Sequence, residues 1–108
     1  MKIFDIFKSE GGYRVCGAIW NSNPVIDRSP WYETLAEAES AQKSMMFKQD
    51  AQDVGVFQES ENYWIAQIAD EFYTANTKES ACKIAIDYLL DFGWDLEYIL
   101  SQRPDFTK

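Results

Sequence analysis

Two stretches of this chain carry the same order of local signals: a strand, a turn, a returning strand and a capped helix. In the first stretch, residues 2–8 are apolar and aromatic, as strands are. Ser9-Glu10-Gly11-Gly12 makes a turn, because glycine reaches positive φ without strain. Residues 13–20 return as a second strand. A loop follows over 21–30, punctuated by Pro24 and Pro30, and Val25-Ile26 inside it predicts a short third strand. Thr34 with Glu37 is a capping box, each side chain satisfying a backbone N–H that the first helical turn leaves unpaired. Leu35, Ala38, Ala41 and Met45 then recur at helical spacing, which predicts a helix from 35 to about 49.

The second stretch repeats the sequence of signals. Residues 54–58 and 63–69 read as strands around a turn at 59–62. Asp70-Glu71 turns the chain into a third strand ending at Ala75. Asn76 with Glu79 predicts a second capping box for a helix over 78–91, and Gly93 predicts its C-terminal cap. Phe7, Tyr13 and Val15 fall on Phe57, Tyr63 and Ile65 at an offset of fifty, while Thr34, Ala38 and Ala41 fall on Thr77, Ala81 and Ile84 at an offset of 43. The difference of seven belongs in the loop at 21–30, where insertions are tolerated. A short third helix is expected over 94–100, with Leu96, Ile99 and Leu100 facing inward. Pro104 closes it, and the last residues are expected to fray.

The expected fold class is therefore α+β: antiparallel sheet packed on two main helices, β-β-(β)-α repeated in tandem, with a short C-terminal helix. The 108 residues predict a single domain, with pseudo-repeats at about 2–50 and 54–92 and an extension at 93–108. Phe4-Asp5-Ile6-Phe7, Gly12-Tyr13-Arg14-Val15 and Trp31-Tyr32 before the first capped helix resemble the YegP-like proteins, which are built as tandem βββα units. The resemblance spans residues 3–46 and more loosely 54–90. It implies the fold and brings no catalytic residues with it.

Charge narrows the function. Ten basic and 18 acidic residues leave a formal charge of −8. That balance repels phosphate backbones and anionic lipid, which argues against direct nucleic-acid or membrane binding and favours a protein partner with a basic surface. Residues 1–53 hold a net −2 and residues 54–108 a net −6. There is no histidine, which removes the commonest general base and metal ligand. Gly11-Gly12 joins two strands and is not a phosphate loop. Cys16 and Cys82 read as buried free thiols of a cytoplasmic protein, and the sequence leaves a disulfide between them open. No catalytic residue, metal or cofactor is expected.

The sharpest candidate site is acidic and aromatic. Asp87 and Asp91 lie four apart near a helix C-terminus, where like charges cost roughly 0.2–0.5 kcal/mol and the helix dipole adds about 0.3–1 kcal/mol against them. Asp95 and Glu97 follow, around Trp94. A patch that opposes local stability suggests a basic partner, in its sharpest form a nucleic-acid-binding protein inhibited by acids standing in for phosphates. Trp20, Trp31 and Tyr32 are secondary aromatic candidates. The alternative is a self-associating structural protein, a homodimer through exposed strand edges or aromatics.

Overall fold

The computed structural model describes residues 2–19 and 27–107. The chain divides into two compact units, residues 1–49 and 50–108. Each is a three-stranded antiparallel sheet followed by a helix, so the tandem α+β pattern is present in both.

In the first unit β1 (Lys2–Ser9) pairs with β2 (Gly12–Ile19), and β2 pairs with the two-residue β3 (Asp27–Arg28). The expected strand at Val25-Ile26 lies outside the described residues; β3 follows it directly. Gly12 takes a φ of 115° at the hairpin. Its missing Cβ would run into the Tyr32 carbonyl oxygen, so glycine is required there twice over. Beyond β3 the third strand is broken at Pro30. Ser29 repairs the ladder: its buried hydroxyl accepts from the Val15 N–H at 2.8 Å, and its own N–H donates to the Val15 carbonyl at 2.9 Å. Pairing resumes as a bridge between Tyr13 and Tyr32.

Helix α1 (Leu35–Asp50) starts at the capping box read from the sequence. The Glu37 N–H donates to Thr34 Oγ1 and the Thr34 N–H to Glu37 Oε1, both at 3.2 Å. Phe4, Val15 and Ala38 form the core between sheet and helix, with Ile6, Tyr13, Tyr32, Ala41 and Met45 packed around them. Gln42 donates to the Phe4 carbonyl at 2.8 Å and fastens α1 to β1.

The second unit has β4 (Val54–Ser60), β5 (Tyr63–Ile68) and β6 (Glu71–Ala75) in that order. Its hairpin turn is shorter than the four residues expected. Glu61 and Asn62 suffice, because Asn62 adopts the left-handed φ of 61°. Glu59 is the extra residue of a β-bulge between Gln58 and Ser60. The next turn is Ala69-Asp70, one residue earlier than expected, with Ala69 at a φ of 54°.

Helix α2 (Lys78–Asp91) occupies the span predicted for it. Its cap is Thr77 and not Asn76: Thr77 Oγ1 accepts the Ser80 N–H at 3.1 Å. Ala81, Cys82, Ala85 and Leu89 are buried, and α2 lies against all three strands. The Gly93 N–H donates to the Leu90 carbonyl at 2.9 Å with φ at 103°, which ends the helix. Helix α3 (Leu96–Gln102) begins two residues later than expected, because Asp95 is its cap. Ile99 is fully buried and Leu100 half-buried, whereas Leu96 is exposed, against expectation. The tail does not fray at Phe106, which is buried at the end of a 3-10 turn (Pro104–Phe106). Arg103 holds that turn: its guanidinium reaches the Val54 carbonyl at 2.9 Å, pairs with Asp105 at 2.8 Å and lies 4.3 Å over the Phe106 ring. Both cysteines are free; Cys82 is buried and Cys16 half-buried, less than predicted. No helix of the described residues is long and apolar enough to cross a membrane.

Candidate functional site

Helix α2 starts beside the end of β6 and runs back over the sheet towards the Ala69-Asp70 turn. At the far end of that run the indole N–H of Trp94 donates to the Asp50 carboxylate at 2.9 Å, and the Ala69 N–H donates to the Asp53 carbonyl at 3.1 Å. These two bonds bring three chain segments to one end of the unit. They are the entry to β4 with Asp50 and Asp53, the β5–β6 turn with Asp70 and Glu71, and the exit of α2 with Asp91, Asp95 and Glu97. No lysine or arginine occurs between Lys48 and Lys78, nor between Lys83 and Arg103, so the three segments bring no cation with them.

The five residues predicted as the site are not equivalent. Asp87 is paired: Lys83 Nζ lies 2.7 Å from its carboxylate, one helical turn back, and the pair sits away from the helix end. Asp95 is structural, its carboxylate accepting from the N–H groups of Glu97 at 2.9 Å and Tyr98 at 3.3 Å. Trp94 is half-buried, bonded to Asp50 and stacked on Tyr98 at 5.4 Å, which fits a tie within the unit better than a free anchor. Asp91 and Glu97 are exposed. Exposed apolar groups beside Asp91 and Glu97 include Phe92, 52% exposed and edge-on to the Tyr88 ring, and Leu96, 48% exposed. The sequence expects Leu96 to face inward and does not single out Phe92. Phe92 continues the helical spacing of Ala85 and Leu89 one turn past the helix and is exposed only because the helix ends there.

Among the secondary candidates, Trp31 is 42% exposed and carries the Arg14 guanidinium 4.5 Å over its ring. Tyr32 is half-buried and exchanges two backbone hydrogen bonds with Tyr13, at 2.7 and 2.8 Å. Both are used within the first unit. Trp20 lies outside the described residues.

Few groups titrate unusually. The hydrogen bond from Arg103 holds the Asp105 carboxyl below the ordinary carboxylate range, with burial opposing it. Burial pushes the Cys82 thiol up, Lys78 pulling the other way. A hydrogen bond to Glu71, with that carboxylate's charge, raises the Tyr73 phenol. Among the described residues no three carboxylates or thiols gather as a metal site.

Comparison of the chain with protein families, with characterised proteins and with solved structures found no match.

Proposed function

We propose that the second unit acts by binding a protein with a basic surface, through the end that holds Asp50, Asp53, Asp70, Glu71, Asp91 and Glu97, with Phe92 and Leu96 as apolar anchors. One observation carries this reading: the unit's charges are segregated. Of its described cations, Lys78 and Lys83 stand on the first half of α2, while Arg103 spans from the last turn to the Val54 carbonyl; Lys83 and Arg103 are already paired with acids. Arg103 thus reaches the entry to β4, but among the described residues no lysine or arginine pairs with Asp70, Asp91 or Glu97. Uncompensated charge of one sign steers a complementary partner, and an exposed aromatic beside it supplies the desolvated contact that electrostatics alone does not.

A second reading is favoured by the sheet face turned away from α2, where Phe57, Tyr63 and Phe72 are exposed. Such a face suits self-association.

Capture from host extract with the intact protein separates the readings. Raising salt from about 0.1 M to about 1 M shortens the Debye length from about 10 Å to about 3 Å. Partner capture is expected to fall with salt, and to fall likewise in the charge-reversed D91K/E97K protein, while D87K behaves as the parent because Asp87 is already neutralised. Capture insensitive to salt and to D91K/E97K would end the electrostatic reading. A monomer by light scattering would end the second.

A further inference from the structure

The first half of α2 and the 3-10 turn line a half-open cavity of about 410 Å³, bordered by Lys78, Glu79, Cys82, Lys83, Ile86 and Phe106. Pockets of this volume are of the size that takes small molecules, with apolar walls and a few polar groups that orient the ligand. Here the walls are Cys82 and Phe106, both buried side chains, and Ile86, half-buried. Burial pushes the Cys82 thiol up, which favours its neutral form as part of the apolar wall.

The rim is the unusual part. The second unit has four basic residues against twelve acidic ones. Of its three described cations, Lys78 and Lys83 line this cavity; the third, Arg103, lies over the ring of the Phe106 that walls it, its charge met by Asp105. Lys83 is paired with Asp87, but both side chains are more than half exposed, at 74% and 53%, and so exposed a pair exchanges readily for another anion. Lys78 is the first residue of α2, so the helix dipole adds positive potential at the same place. Glu79 stands on the rim as well and disfavours a headgroup of more than one charge.

We infer that this cavity binds a small amphipathic monoanion, its apolar body between Cys82, Ile86 and Phe106 and its carboxylate, or a similar headgroup, at Lys78 and Lys83. The site is separate from the acidic end and stands or falls independently of it.

Titration of the intact protein with sodium octanoate, followed by amide chemical shifts, tests the inference. Methyl octanoate and octylammonium serve as neutral and cationic comparators. Octanoate is expected to give saturable shifts over residues 78–86 and at Phe106. The K78Q/K83Q protein, altered on the rim, is expected to bind about tenfold more weakly, since it loses charge-assisted hydrogen bonds. I86W, which fills the cavity, is expected to abolish the shifts while a melting curve reports that the fold persists. No saturable shift in the millimolar range overturns the inference. So does equal binding by K78Q/K83Q, or octylammonium binding as tightly as octanoate.

Discussion

The first unit holds six basic and six acidic residues; the second holds four and twelve. The whole formal charge of −8 therefore falls on the second unit, its C-terminal extension included. The interiors of the two units differ in a more instructive way. In the first sheet Phe4 lies opposite Gly17, and a Cβ on Gly17 would come within 2.5 Å of the Phe4 ring. At the matching place in the second sheet Val54 lies opposite Ile68. One pair is large against nothing, the other medium against medium. What the two copies share is strand parity and the number of side-chain carbons in the pair, not side-chain identity. They also differ in what covers the helix. Glu39 and Met46, the α1 counterparts of Cys82 and Leu89, are exposed, whereas both α2 residues are buried where α3 and the 3-10 turn lie against α2.

The largest expected effect strikes the part that the first unit lacks. Ile99→Ala removes a fully buried side chain of α3 and should cost about 2–5 kcal/mol; chemical denaturation with residue-resolved hydrogen exchange should place the greatest loss of protection in β4–β6 and α2. If protection falls no more there than in β1–β2, the extension is not what covers α2. Next comes the exchange of volumes. Gly17→Ile alone overfills the first sheet and should destabilise by about 1–3 kcal/mol. Adding Phe4→Val should recover much of that, which a double-mutant cycle reads directly as a coupling term. Additive losses would mean that the two cross-strand pairs are not interchangeable solutions. The smallest effect is at a helix end: Asp95→Ala should cost about 1 kcal/mol through the lost cap of α3, seen as a shift in midpoint without a change in slope. No shift would return Asp95 to the acidic end as a free carboxylate.

Much of this architecture was legible from local chemistry. Thr34 with Glu37, the span of α2 and the glycine at 93 are set by interactions within a few residues, which is the range a sequence pattern reports. The offset of fifty illustrates where such reading stops. It holds for β1 on β4, where Phe4 matches Val54 and Ile6 matches Val56. It fails by one for β5, because Glu59 bulges. The true counterpart of Val15 is Ala66, fully buried like it, while Ile65 points to the opposite face. One unpaired residue inverts a whole strand, and nothing in the composition of Gln58-Glu59-Ser60 announces it. The acidic site was half legible for the same reason. Asp91 and Glu97 could be named from the chain, but Asp50, Asp53, Asp70 and Glu71 join them only through tertiary hydrogen bonds. The pairing of Asp87 with Lys83 shows in the chain as an i,i+4 spacing.

A chain that contains two versions of one hairpin faces a hazard while it folds: a strand of either copy can find the wrong mate. The Phe4–Gly17 and Val54–Ile68 pairs penalise both errors. Docking β1 on β5 would set Phe4 against Ile68, with too much bulk for the space, and docking β4 on β2 would set Val54 against Gly17 and leave a hole. Each sheet thus recognises its own partner by shape, and the divergence of the two interiors works as a safeguard on folding fidelity.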